Sequence, residues 1–215
     1  MERIAILGGT FNPVHYGHLR CAEEVRESLG FKKAFFMPVS LSPHKEDLEL
    51  ASAGDRLEMV RLATAANPAF GVSDAEVKRG GRSYTIDTVR ELKKDGFSPT
   101  LIVGSDSFND ITTWCEYEEL FNEADFAVVP RPGHGVKKMA EAVPVELAKR
   151  FWYDTEYAAY VNSGGRRVTY METTHLDISS SAIRERIRKG LSIRYLLPQA
   201  VEEFISAKGL YTRNG

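Results

Sequence analysis

The sequence predicts an α/β protein: a doubly wound, Rossmann-like parallel sheet of about five or six strands with a small helical C-terminal lobe. Two observations predict it. Short apolar, β-branched runs alternate along the chain with segments of helical periodicity, the pattern of a parallel sheet covered on both faces. Polar, glycine-bearing clusters then fall directly after those apolar runs, where open α/β sheets bind ligands. At 215 residues the chain is long enough for one well-cored domain. Its core is expected over about residues 1–175 and the helical lobe over about 176–215.

Arg3-Ile4-Ala5-Ile6-Leu7 reads as the first strand, running into Gly8-Gly9-Thr10-Phe11-Asn12-Pro13-Val14-His15-Tyr16-Gly17-His18. A helix from Tyr16 to Leu29 follows, with Leu19, Ala22, Val25 and Leu29 at helical spacing and Gly30 as its stop. Lys33 to Met37 is a second strand, ended by Pro38, and Val39 to Lys45 is a polar, proline-braked loop. Ser52-x-x-Asp55 reads as a capping box for a helix whose core stripe is Leu57, Val60, Leu62 and Ala63 or Thr64. Phe70-Gly71-Val72 is a short third strand. After the basic connection Arg79 to Tyr84, Thr85 to Lys94 is an amphipathic helix; Thr100 to Val103 is a fourth strand with Gly104-Ser105-Asp106-Ser107 at its end. A helix around Tyr117 to Glu123 leads to a fifth strand, Asp125 to Pro130. Past the turn at Pro132 to Gly135 the pattern loosens: 136–150 reads as helical despite Pro144, 151–167 carries no assignable pattern, and Val168 to Met171 resembles a sixth strand. Asp177 to Arg184 is a hydroxyl cluster entering a helix, and the last helix, Pro198 to Lys208, has proline at its first position and glycine just after its end.

Composition excludes several classes. With 28 basic and 30 acidic side chains the net charge is −2, so no global field recruits nucleic acid or an anionic membrane, and any anion site is local. Cys21 and Cys115 are far apart and lack C-x-x-C spacing, which argues against a disulfide framework or a thiolate zinc site and for a reducing cytoplasm. Cys21 falls on the apolar side of the first helix, as inert packing. No stretch approaches the ~18 apolar residues of a membrane span, and the N-terminus enters a strand at once, leaving no room for a signal peptide.

The chemistry is concentrated at the two ends of the chain. A glycine-rich strand-to-helix turn aims backbone N–H groups and the positive end of a helix at an anion, and His15 and His18 add side-chain donors at the same place. The turn is not a Walker loop, which needs Lys-Ser/Thr after the second glycine, nor the G-x-G-x-x-G of redox enzymes. A lone histidine is usually a satisfied packing residue, but two flanking Tyr16-Gly17 after such a turn read as phosphate donors. Zinc lacks a third ligand at a suggestive spacing. Near the other end, Asp177 or Ser179 could simply cap a helix, yet three hydroxyls followed one turn later by Arg184 exceed what capping requires. The N-terminus of that helix, Ser179, Ser180 and Arg184 make a second phosphate site, and the two sites together suggest a triphosphate held between them.

These residues carry a resemblance. Gly8 to Leu19 resembles the H-x-G-H loop of the nucleotidylyltransferase superfamily, and Ile178 to Arg184 resembles its I-S-S-T-x-x-R partner. The similarity is nearest to the nicotinate-nucleotide adenylyltransferase family and runs end to end: Ser42-Pro43-His44-Lys45, Ser83-Tyr84-Thr85, Gly104-Ser105-Asp106, Thr113-Trp114, Arg131-Pro132-Gly133 and Gly209-Leu210-Tyr211 fall in the expected order. The resemblance implies an enzyme that transfers AMP from ATP to nicotinate mononucleotide, giving deamido-NAD and pyrophosphate. It implies His15, His18 and Arg184 as catalytic residues, with Gly8, Gly9, Thr10, Phe11, Gly104, Asp106, Ser179 and Ser180 binding ATP. His44, Lys45, Thr85, Trp114 and Arg131 would bind the mononucleotide, although core packing is the plainer role for a tryptophan. No carboxylate cage for a metal is visible, so Mg²⁺ is expected to be carried in by ATP. Asn12, Ser181 and Cys115 stand where the family commonly has aspartate, threonine and an aromatic residue.

Three alternatives remain at this stage. One is a nicotinamide mononucleotide adenylyltransferase or another H-x-G-H nucleotidylyltransferase. Another is a non-catalytic nucleotide sensor, against which stands the full set of His15, His18 and Arg184. A redox Rossmann protein is disfavoured by the missing third glycine and acidic ribose ligand. The aromatic stretch Phe151 to Tyr160 reads either as an interface in a homo-oligomer or as the core of the C-terminal lobe.

Overall fold

In a computed structural model that describes residues 1–41, 50–131 and 135–212, each apolar run of the first half becomes a strand. The elements follow in the order β1 (Glu2–Gly9), α1 (Tyr16–Ser28), β2 (Ala34–Pro38), α2 (Ala53–Thr64), β3 (Phe70–Val72), α3 (Ala75–Arg79), α4 (Thr85–Lys94) and β4 (Phe97–Gly104). The chain continues through α5 (Ser105–Asn109), a 3₁₀ turn (Ile111–Thr113), α6 (Tyr117–Glu123), β5 (Asp125–Val129), α7 (Met139–Ala142), α8 (Val145–Ala148), β6 (Phe151–Asp154), β7 (Ala159–Asn162), β8 (Arg167–Tyr170), α9 (Ser180–Arg188) and α10 (Gln199–Lys208). Local chemistry sets the helix ends where the sequence places them. Ser52 Oγ accepts the Asp55 N–H at 3.0 Å and caps α2, and Gly30, at φ 69°, takes the left-handed turn that ends α1.

Among the described residues all eight strands join one sheet in the order β3-β2-β1-β4-β5-β8-β7-β6. The first six in that order are parallel, with Ala5 beside Ala34 on one flank of β1 and beside Thr100 on the other. Side chains alternate across a strand, and here both faces are apolar. Ile4, Ile6, Leu101, Val103, Phe126 and Val128 enter one core under α4 and α6, where Val89 and Phe121 meet them. Their neighbours Ala5, Ile102 and Ala127 face the other core, filled by Val25 of α1, Met59 and Val60 of α2, Ile183 of α9 and Val201 of α10. The C-terminal helices therefore bury their apolar stripes in the same core as α1 and α2.

The sheet has eight strands, more than the five or six expected. The additional pair is the antiparallel hairpin β6–β7, which extends the sheet beyond β8. It lies in the stretch without assignable pattern because Trp152 and Tyr153 are both about half exposed, at 52% and 55%, so no alternation is visible. Its turn is held by Asp154, whose Oδ1 accepts the N–H groups of Glu156 and Tyr157. The aromatic stretch is thus a sheet edge, with Phe151 buried, and not the core of the C-terminal helices. The helix expected over 136–150 is split into α7 and α8 at Pro144, which has no N–H to continue it.

Phe126, buried at the sheet centre, stacks on Phe121 at 4.8 Å and meets Phe108 edge-on at 5.9 Å. Phe126→Ala is expected to cost about 3–5 kcal/mol of stability in urea unfolding. A loss under about 1 kcal/mol would show that this aromatic cluster does not anchor the sheet.

Candidate active site

The strand order reverses direction at β1 and β4: the chain steps from β1 outward to β2 and β3, then returns to β4 and proceeds to β5. A crevice opens beyond the carboxyl ends of two such strands because their following segments diverge. Gly8 and Gly9 end β1 there and Gly104 ends β4. A Cβ on Gly8 would meet no protein atom within 4 Å, so protein packing does not demand glycine at this position, whereas a Cβ on Gly104 would stand 2.6 Å from Asp106 Oδ1.

The loop after β1 is gripped from three directions by its backbone carbonyls. Arg56 Nη1 donates to Thr10 O at 2.8 Å, Arg184 Nη1 to Asn12 O at 2.9 Å, and Ser180 Oγ to Pro13 O at 2.8 Å. The Asn12 side chain is buried too: its Oδ1 accepts the Ala51 N–H at 3.1 Å and the Tyr211 hydroxyl at 2.7 Å. Phe11 within the loop takes a positive φ of 49°. Drawing the negative ends of these peptide dipoles into donors leaves a loop that an anion can approach with less repulsion.

Both imidazoles sit at the start of α1, immediately after this loop. The His15 N–H donates to His18 Nδ1 at 3.2 Å, which fixes His18 as an acceptor at Nδ1 and leaves Nε2 to carry the ring proton in the neutral form. The rings stack with centroids 3.7 Å apart, and Phe11 lies edge-on to His18 at 5.1 Å. His15 is only 4% exposed, and neither of its ring nitrogens meets a protein hydrogen-bond partner among the described residues. Burial, reinforced by the nearby Arg131 guanidinium, pulls its pKa from 6.5 to about 3. It is therefore a neutral imidazole, with buried polar atoms that a ligand would satisfy. Gly17 leaves room for this arrangement: a Cβ there would come 3.0 Å from His15 Nδ1, so the imidazole would have to give way by a few tenths of an ångström.

His15, Gly17 and His18 line one cleft with Gly104, Arg131 and the segment Thr173 to Ile178. Asp106 stands at its rim, with Oδ2 accepting from Arg131 Nη1 at 2.8 Å. Arg131 thus lies beside Gly104 and Asp106, two of the residues expected to bind ATP. The reason is topological: residue 131 follows β5, whose carboxyl end adjoins that of β4. The serine cluster divides its work. Ser179 Oγ caps α9 by accepting the Ala182 N–H, the plain role open to it, while Ser180 spends its hydroxyl proton on the loop. On the acceptor side, Thr85 begins α4 and Trp114 is half-buried against the same core as Tyr84. His44 and Lys45 lie outside the described residues. Among those described, no group of three or more His, Cys, Asp or Glu side chains stands where it could hold a metal ion. Cys21 also lines the cleft, its thiol pushed up to about 12 by burial and by the Glu24 carboxylate, so it stays protonated.

Sequence reasoning missed Arg56 and the segment Thr173 to Leu176 just ahead of the hydroxyl cluster. Arg56 had a signal, because it stands four residues before Val60 on the buried face of α2, and a charge on an apolar stripe needs a reason. The segment had none: it is an irregular stretch held by Glu24 of α1, which accepts both the N–H and the hydroxyl of Thr174.

A doubly wound sheet whose switch point carries two stacked imidazoles, with an arginine-bearing helix docked against the same loop, defines the nucleotidylyltransferase class. The cytidylyltransferase-like family model matches residues 6–186, and the chain belongs to that family. Within it, relatives that align over nearly the whole chain carry the name "probable nicotinate-nucleotide adenylyltransferase". A relative from Citrifermentans bemidjiense, named "probable nicotinate-nucleotide adenylyltransferase", is 50% identical over 97% of this chain and 98% of its own. One of the same name from Geobacter metallireducens is 45% identical over 99% of each. The structure of Plasmodium falciparum nicotinic acid mononucleotide adenylyltransferase complexed with NaAD superposes with a TM-score of 0.72 at 18% identity, covering 98% of both chains, which speaks for the fold.

The state of His15 has a consequence for stability. The unfolded chain takes up a proton at this histidine near pH 6.5, whereas the folded chain does so only at about 3. The unfolded state binds more protons between those values, so this group's contribution to stability is present above pH 6.5 and is lost as the pH falls toward 3. Urea unfolding of wild type and His15→Asn at pH 7 and 5 is expected to show a smaller acid loss in the variant. Equal losses would mean that His15 titrates normally.

Proposed function

We propose that this chain transfers AMP from ATP to nicotinate mononucleotide, releasing pyrophosphate and forming deamido-NAD. The observation that carries the reading is the docking of α9, through Ser180 and Arg184, onto the same loop that leads into His15 and His18. One loop then has an imidazole donor pair on one side and a guanidinium with a helix N-terminus on the other, which suits the two ends of a triphosphate. The names and end-to-end identity of the relatives support nicotinate mononucleotide as the acceptor.

The acceptor's 5′-phosphate, with a second pKa of ~6, is largely dianionic at pH 7 and needs no general base. One of its oxygens bonds to the α-phosphorus of ATP in line, and the bond from that phosphorus to the bridging oxygen breaks, its electron pair leaving on pyrophosphate. The protein positions two anions and stabilises the charge that builds on the transferring and departing groups. His18, protonated at Nε2, and His15 serve as donors to the α-phosphate, a role that suits a neutral ring better than proton abstraction. Arg184, Ser179 and the backbone N–H groups at the start of α9 serve the β- and γ-phosphates, with Ser180 contributing its backbone N–H while its hydroxyl holds the loop, and Gly8, Gly9, Thr10 and Phe11 let the nucleotide approach the backbone.

Gly104 and Asp106 hold the adenosine, with the Asp106 carboxylate accepting from ribose hydroxyls and Arg131 beside it. Thr85, Trp114, His44 and Lys45 receive the mononucleotide. Imidazole, guanidinium and hydroxyl donors suit phosphate oxygens, so Mg²⁺ is read as arriving on the triphosphate, where it would neutralise part of the developing charge. The reaction is assigned to the cytoplasm, in keeping with two free cysteines and with no described helix long and apolar enough to cross a membrane.

The test is pyrophosphate release from ATP with nicotinate or nicotinamide mononucleotide as acceptor. Release with the nicotinate form is expected; release with neither would favour a sensor. His18→Ala should lower turnover by roughly two to three orders of magnitude, the range for loss of a preorganised donor. Undiminished turnover in folded His18→Ala would remove that residue from the mechanism. With each substrate varied in turn, Arg184→Ala should chiefly raise the KM for ATP and Trp114→Ala that for the mononucleotide. The reverse pattern would exchange the two halves of the site.

A further inference from the structure

Arg56 is 1% exposed, and its guanidinium ends on three backbone carbonyls: Thr10 O at 2.8 Å, Ser40 O at 2.7 Å and Ala51 O at 3.1 Å. A buried cation is costly unless its hydrogens are all engaged, and burial here works against the charge. The three acceptors belong to different parts of the site. Thr10 lies on the loop assigned to ATP. Ser40 follows β2, and its N–H donates to Ser83 Oγ at 3.1 Å, while the Ser83 N–H donates to Leu41 O at 3.1 Å. Ser83 lies in the turn that opens α4 at Thr85, a residue assigned to the mononucleotide. Ala51 returns to the ATP loop a second time, through its N–H to Asn12 Oδ1. A single planar fork therefore ties the ATP loop to the strand end that supports the acceptor side.

We propose that Arg56 is a positioning residue that sets the distance between the two substrate-binding halves. It touches neither reactant. In-line transfer needs the attacking oxygen about 3–3.5 Å from the phosphorus, and a misplacement of about 1 Å can cost a hundredfold in rate. The fork geometry matters as well as the charge, because a lysine ammonium cannot reach three carbonyls that diverge around a planar group.

The inference rests on the adenylyl-transfer reading, and the wild-type protein in the same assay keeps the two separable. Arg56→Lys is compared with wild type in turnover and, by calorimetry, in the separate binding of a non-hydrolysable ATP analogue and of nicotinate mononucleotide. The expected result is a kcat lowered about 10- to 100-fold in folded protein, with each ligand's Kd within about threefold. A destabilised but otherwise normal site would not split kcat from binding in this way. Retained kcat in folded Arg56→Lys, or loss of one ligand's affinity in step with the loss of rate, would overturn the proposal. Should Arg56→Lys fail to fold, Ser83→Ala removes the next link in the chain: a several-fold lower kcat with both Kd values unchanged supports the coupling, and an unchanged kcat overturns it. A wild-type protein that releases no pyrophosphate would remove the reading of the reaction and this inference with it.

Discussion

The capture of three carbonyls in one short loop is the constraint on which the site depends. Thr10, Asn12 and Pro13 are adjacent to the end of β1, yet their carbonyls are held by side chains from residues 56, 184 and 180. Each bond from a charged donor is worth about 1.5–3 kcal/mol, and each would leave a buried acceptor unsatisfied if removed. The loop therefore has no independent conformation to defend. It is shaped by α2 and α9, and through Asn12 by Tyr211 near the end of the chain. This explains why the terminal helices pack on the sheet in the same core as α1: the site requires them at a fixed distance from β1.

The same packing sets the electrostatics. A chain with a net charge of −2 offers no long-range attraction to a nucleotide, so the anion site is made locally from dipoles and two arginines. Burial holds His15 neutral, and the His15 N–H fixes the tautomer of His18. Neutral donors suit a substrate whose nucleophile is already ionised, because nothing in the site has to accept a proton. The enzyme's contribution is then mostly geometric, which is why a buried residue such as Arg56 can matter without touching a substrate.

Much of this was legible in the sequence, and the limits have physical reasons. The strand-loop-helix opening carries its own signals: a β-branched run, two glycines and two imidazoles, each tied to a backbone or ligand requirement at that position. The start of α9 was legible for the same reason, although Ser179 also caps the helix and Ser180 also struts the loop. The hairpin β6–β7 was not, because the neighbouring residues Trp152 and Tyr153 of its edge strand are both about half exposed and leave no apolar alternation. That Arg131 stands beside Gly104 and Asp106 could not be read from the sequence, because strand order is a tertiary property. Arg56 carried a signal as a charge on the buried face of α2, but only the fold reveals what its three carbonyl partners connect.

One loop, gripped by α2 and α9, is proposed to hold the triphosphate between the imidazole pair and Arg184. A crystal structure with a non-hydrolysable ATP analogue tests it most directly. The account predicts the α-phosphate within hydrogen-bond reach of His15 or His18 and the terminal phosphates against Arg184 and the start of α9, with the three carbonyl contacts intact. A triphosphate lying away from α9, or a loop released from Arg56 and Ser180 on binding, would contradict it.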